Sequence, residues 1–244
     1  MYTLLLRLAA PMQSWGTESK FDTRHTRREP SKSGVIGLLA CALGIRRDDV
    51  AALSELQKLS FGVRVDQEGQ QLMDYQTVKS YKHSMDLVRN AAPDKPYQTY
   101  RYYLSDAVFL AAVSSDDEAL MYRLEAALHR PVFPLYLGRR GCPPTLPLSL
   151  GVQAIPLEEA LRTEPWLASE AQKSRWQRMN PGQMPSLQLL MDDAGCGAAR
   201  VRDVPLAFDS AWRRYSFRNV QEKQIALRLQ ETTHDAMAEV EACT

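Results

Sequence analysis

The stretch SDAVFLAAVSSDDEALMYRLEAALHRP, residues 105–131, decides the fold. Its opening run, SDAVFLAAV, is short, apolar and bounded by polar residues, which predicts a buried strand. Ser115 and Glu118 follow three residues apart, the spacing at which a hydroxyl and a carboxylate together satisfy free N–H groups at a helix start. Leu120, Leu124, Ala127 and Leu128 then recur at helical spacing, and Pro131 ends the period. A strand that passes straight into a helix is half of a split βαβ unit.

The other half lies upstream. Residues 2–9 alternate, with Tyr2, Leu4, Leu6 and Leu8 on one face, and Pro11 closes that strand. A polar loop runs to Ser33, an apolar helix ends at Gly44, and a second helix starts at Asp48 and Asp49 with Val50, Leu53 and Leu56 on its apolar face. FGVRVDQEGQQLMDYQTV, residues 61–78, predicts two strands around a turn at Glu68 and Gly69. Residues 79–104 show no clean period. Downstream come a glycine-flanked basic turn, LYLGRRGCPP, and another strand, LSLGVQAI. The order approximates βαββαβ with an insertion, an α+β, ferredoxin-like arrangement that is also the frame of RNA-recognition modules.

From Pro156 the pattern changes to a short helix, a polar stretch around KSRWQRMNPGQMP, and strands expected at 186–192, 200–206 and 213–220. The expected organisation is a ferredoxin-like domain over 1–155, a smaller β-rich domain over 156–220, and a helical or frayed tail over 221–244.

Composition limits the function classes. The chain has 244 residues, 45% of them hydrophobic and 24% charged, with a formal net charge of +1, so a nucleic-acid surface must be a local patch. The longest apolar run, 34–45, is too short to span a bilayer, and no basic region precedes the first apolar residues, so a cytoplasmic protein without a membrane partner is expected. Cys41, Cys142, Cys196 and Cys243 are far apart with no CxxC pair, which argues against zinc or a disulfide framework. No metal or other cofactor is expected.

Three segments concentrate cations. TRHTRREPSKSG, residues 23–34, holds Arg24, His25, Arg27, Arg28 and Lys32 against one acid, Glu29. It adjoins a helix start with Ser31 and Ser33, whose free N–H groups suit a phosphate; a solvated loop with Ser33 as N-cap explains it equally well. No GxxxxGK[ST] is present, so a nucleotide P-loop is unsupported. GRRG at 138–141 sets Arg139 and Arg140 between glycines, with Gly141 allowing close backbone approach, or forms a plain surface turn. Residues 79–104 interleave Lys79, Lys82 and Arg101 with aromatics and end in YQTYRYY, a composition suited to single-stranded RNA, or to a hairpin whose tyrosines pack on the body. Trp15 can stack a base or anchor a core. For catalysis, Lys82 and His83 beside Tyr81 offer a base and a cation for metal-independent RNA cleavage, with His25 as a second base.

LRLAAPMQSWG, REPSKSGVIGLLACALGIRRDD, DYQTV, LYLGRRGCP and RDVPLAFDSAWRRYSFRNV stand in the order and spacing of the CasD family of type I-E CRISPR Cascade complexes, which the chain resembles over residues 2–220. The resemblance implies a RAMP-superfamily protein: a ferredoxin-like domain with a long β-hairpin thumb, here near 79–104, and a smaller C-terminal domain. It implies a non-catalytic subunit that caps the 5′ handle of the crRNA, adjoins the CasC filament and the large CasA subunit, and serves target DNA indirectly. Under it the 23–33 cluster, Arg139, Arg140 and Gly141 hold handle phosphates, and Trp15 lies near the handle. Type I-C relatives in the superfamily cut precursor RNA, and Lys82 with His83 resembles their Lys-His element. The 168–185 linker and the tail past 220 depart from the family pattern.

Overall fold

A computed structural model describes residues 1–16, 22–78, 97–193, 198–209 and 213–227. Lys79, Tyr81, Lys82 and His83, with most of the expected thumb and all but the start of the tail, lie outside the described residues.

Strand β1 (Tyr2–Ala9) is buried on both faces, which its run of leucines requires. Leu4, Leu6 and Leu8 enter one apolar cluster while Leu5 enters another on the opposite side. Each such leucine stabilises the fold by about 1.5–3 kcal/mol through burial. Two very short strands, β2 (Met12–Gln13) and β3 (Thr23–Arg24), follow before helix α1 (Lys32–Leu43), whose C-cap Gly44 is left-handed at φ 76°. Helix α2 (Val50–Gln57) is capped by Asp49, as its sequence predicts. Strands β4 (Ser60–Gln67) and β5 (Gln70–Val78) flank residues 68 and 69 but do not pair: β5 pairs with β6 (Tyr97–Ser105) along its whole length, in a second sheet. Residues 97–104, without a clean period in sequence, are therefore strand.

Strand β7 (Val108–Ser115) runs into helix α3 (Glu118–His129). The cap is Asp117, whose carboxylate accepts from the Leu120 N–H, rather than the expected Ser115; Ser115 instead accepts from the Asp117 N–H. Helix α3 buries Met121, Leu124 and Leu128. Strand β8 (Ser149–Gln153), helix α4 (Leu157–Thr163) and helix α5 (Glu170–Met179) come next. Helix α5 occupies the stretch read as polar linker; Ser169 caps it, and Trp176 packs edge-on against Trp166 at 5.9 Å. Strands β9 (Ser186–Asp192), β10 (Ala199–Ala207) and β11 (Arg214–Ala226) complete the chain. Strand β11 continues to residue 226, correcting the expectation that the tail begins at 221.

The main sheet runs β10-β11-β9-β4-β7-β1-β8, every neighbouring pair antiparallel. The C-terminal strands thus extend the same sheet, with β9 bonded to β4. Helices α1 and α3 pack on one face with α2 beside them, and α4 covers the other with Leu157, Leu161 and Trp166. On that second face Arg64 and Asp66 of β4 form an ion pair at 2.7 Å with neither side chain exposed. Arg64 also donates to the carbonyls of Leu161, Glu164 and Pro165, while Asp66 accepts from the Leu167 N–H. Every charge is satisfied, the condition under which a buried pair is tolerated. No described helix is long and apolar enough to cross a membrane.

Candidate nucleic-acid interface

The basic segment after β2 is fixed to strand β6. Thr23 and Arg24 pair in parallel with Tyr100 and Arg101, and the Tyr100 N–H donates to the Asp22 carbonyl at 2.8 Å. The Tyr97 hydroxyl donates to the Asp22 carboxylate, and that bond raises the phenol above its usual range. His25 lies flat on Tyr102, ring centroids 5.1 Å apart and planes 16° from parallel. Arg27 bonds back to the Trp15 carbonyl through its N–H and pairs with Glu29 at 2.6 Å, so its charge is partly spent within the loop.

The GRRG turn meets this segment from 115 residues away: the Arg139 guanidinium donates to the Arg24 carbonyl at 2.9 Å. The same guanidinium lies 4.6 Å from the ring centroid of Tyr103. Gly138 makes the approach feasible. Its φ is +84°, and a Cβ there would stand 1.7 Å from the Ser14 carbonyl oxygen, so only glycine fits the left-handed, close-packed turn. The Ser14 N–H donates to the Leu137 carbonyl at 3.1 Å, which ties the turn to β2. Gly141 is exposed, and a Cβ there would meet nothing within 4 Å. Burial pushes the Cys142 thiol up against the opposing pull of Arg139; burial raises Cys41 likewise, against Arg47 and Arg140.

The result is a surface on which Arg24, His25, Arg28 and Arg140 are exposed and Arg27, Arg101 and Arg139 partly so, over a floor of tyrosines. Among the described residues the buried Nε of Arg101 and one terminal nitrogen of Arg139 have no hydrogen-bond acceptor. Donors of that kind are the exception in folded chains.

Four expected contacts are corrected. Trp15 is only 1% exposed; it donates through Nε1 to Gln13 and packs against α1 where Gly34 stands, so its ring is a core anchor with no face free for a base. Ser31 is a buried N-cap that accepts from the Gly34 N–H. The Lys32 N–H donates to the carboxylate of Asp203 at 2.9 Å, and its Nζ pairs with Asp192 at 2.8 Å. Ser33 is buried against Ser31 at 3.3 Å. The helix N-terminus does hold an anion, but the chain supplies it itself: Asp203, fully buried, which Arg218 also grips through Nε at 2.6 Å. Burial opposes the charge of Arg218, yet bonds from Asp203 and Asp192 raise its pKa further.

Sequence reasoning missed Asp192, Asp203, Arg218, Arg64 and Asp66. For Arg64 and Asp66 the available signal was charges inside an otherwise apolar strand; β10 and β11 are rich in polar residues and carry no such signal for Asp203 and Arg218. Lys79, Lys82, His83 and Tyr81 lie outside the described residues. No group of three or more His, Cys, Asp or Glu residues able to hold a metal occurs among the described residues.

The family model described as CRISPR-associated protein (Cas_Cas5) matches residues 3–221. The Cascade subunit CasD of Escherichia coli (strain K12) is 41% identical over 170 residues, covering 65% of this chain and 75% of that protein. A solved structure described as a CRISPR RNA-guided surveillance complex superposes with TM-score 0.74 at 31% identity, covering 98% of both chains. Another, described as the crystal structure of a Cas protein, gives TM-score 0.66 at 36% identity over 92% of this chain and 95% of the other. The family match reaches from β1 into β11 and so takes in both cationic segments and the buried network that fixes them: this chain belongs to the CRISPR-associated protein (Cas_Cas5) family.

Proposed function

We propose that this chain is a non-catalytic subunit of a type I-E Cascade surveillance complex, binding and capping the 5′ handle of crRNA and anchoring the backbone filament for antiviral DNA targeting. The observation that carries the reading is the bond between Arg139 and the Arg24 carbonyl, which joins two distant cationic segments into one surface. Phosphates of a fixed RNA hook meet the exposed Arg24, Arg28 and Arg140, where bidentate guanidinium contacts suit them, while Arg101 and Arg139 add positive charge beneath. Exposed His25 on Tyr102 gives a flat ring for a base. Gly141, open on its Cα side, lets the RNA backbone come close.

Strand order β8-β1-β7-β4 with α1 and α3 supports a ferredoxin-like, RAMP-type domain over 1–155, and the β5–β6 ladder supports a thumb rooted at its two ends. The elements after Pro156 supply the smaller C-terminal part, continuous with the same sheet through the β9–β4 pairing. In a cytoplasmic complex the neighbours are the CasC filament subunit and the CasA large subunit, with target DNA held indirectly. No cofactor or metal enters this reading, and neither Lys82, His83 and Tyr81 nor His25 has a catalytic part in it.

The test is incubation of the purified chain with labelled repeat RNA in EDTA. The expected result is intact RNA that is nevertheless retained. A discrete product ending in a 2′,3′-cyclic phosphate, absent for His83→Ala, contradicts the reading and assigns the chain to the precursor-cutting enzymes.

A further inference from the structure

The terminal strand of the main sheet, β10, presents a second cationic surface that shares no residue with the one above. Arg202 and Phe217 are register partners across β10 and β11. Phe217 is 50% exposed on the face of β11 that the helices do not cover. The Arg200 guanidinium lies 4.4 Å from the ring centroid and that of Arg202 lies 6.0 Å from it, so two cations flank one aromatic. Arg213 and Arg214, both exposed, continue the positive charge at the start of β11. The opposite side is committed to the fold: Asp203 and Arg218 are paired inside, and β10 packs there on α1 and α2.

We infer that Arg200, Phe217 and Arg202 form a second nucleic-acid contact, taking a single strand with one base stacked on the arginine–phenylalanine platform and the adjoining phosphates on the guanidinium groups. The chemistry favours a strand over an acidic protein surface because it couples an exposed ring to cations. Bases stack on aromatic and guanidinium planes alike, whereas carboxylates need only the charge. Flanking guanidiniums held by cation–π contact are already oriented, so less freedom is lost when phosphates bind. A duplex keeps its bases stacked inside and has no face to offer Phe217, so the ligand is single-stranded. The contact extends the RNA-holding role proposed above to a strand that need not carry a handle.

The test uses the full chain and two probes, oligo-dT without any handle and the labelled repeat RNA, titrated across a salt series. Arg200→Gln combined with Arg202→Gln is expected to weaken oligo-dT at least fivefold and to flatten its salt dependence by about 1.4 in log–log slope, roughly 0.7 per lost phosphate contact on a single strand. Phe217→Leu is expected to weaken oligo-dT severalfold with the salt slope unchanged, because stacking and charge are separate contributions. Photocrosslinking of the wild-type chain to iodouridine-substituted RNA adds a readout independent of variant folding, with a crosslinked peptide containing Phe217 expected. Unchanged oligo-dT affinity in the double variant, or crosslinks absent from residues 199–219, overturns the inference. Failure of the handle reading shows elsewhere, as repeat RNA binding indifferent to Arg139 and Arg140.

Discussion

At the scale of the residue, the same types serve opposite purposes according to what faces them. Arg24 and Arg140 are held out to solvent, while Lys32 and Arg218 are drawn inside by Asp192 and Asp203. Trp15 is the sharpest discrimination between a ligand contact and a core residue. Trp15→Leu is expected to destabilise the chain by about 2–4 kcal/mol through the cavity it leaves. Its repeat RNA affinity, measured well below the melting temperature, is expected to stay within about twofold of wild type, a change under 0.5 kcal/mol. Loss of binding without loss of melting temperature would show that the indole meets RNA after all. The basic cluster was legible as a cluster in sequence, yet which of its members reach the surface was not. That assignment depends on Asp203, some 170 residues away, a contact no local pattern carries.

At the scale of the element, the strand-to-helix run at 105–131 reported its own structure because strand and helix periods are local properties of the chain. Helix α5 was missed because its single apolar anchor, Trp176, leaves no stripe to read. That β5 pairs with β6 and not with β4 was not legible, because both faces of the ladder are partly open and burial imposes no clean alternation over 97–104. The GRRG turn is the element on which the proposed binding rests. Gly138→Ala forces a side chain into the Ser14 carbonyl at positive φ, and the turn must leave β2, taking Arg139 from Arg24. The expected outcome is a loss of repeat RNA affinity of about tenfold or more, the worth of one charge-assisted contact, measured by filter binding. Gly141→Ala, with open space around its Cα, is expected to leave stability unchanged.

At the scale of the whole molecule, β9 pairs with β4, and Asp192, Asp203 and Arg218 tie the C-terminal strands to the start of α1. The start of α1, which follows the cationic 22–30 segment, is therefore held from behind by strands that come last in the chain. Asp203→Ala leaves Arg218 short of a partner and α1 without its anion, and is expected to cost about 3–5 kcal/mol in urea unfolding. It is also expected to slacken the 22–30 loop, seen as faster proteolysis there. A loss below about 1 kcal/mol would mean that the network is incidental to the fold. The measurement that bears most directly on the whole account is the salt-dependent affinity of the full chain for handle-bearing repeat RNA, wild type against Arg139→Gln with Arg140→Gln. Binding at least tenfold weaker, with a log–log salt slope reduced by about 1.4, is the expected result. Equal affinity and equal slope in the two proteins would contradict it and place the handle elsewhere on the chain.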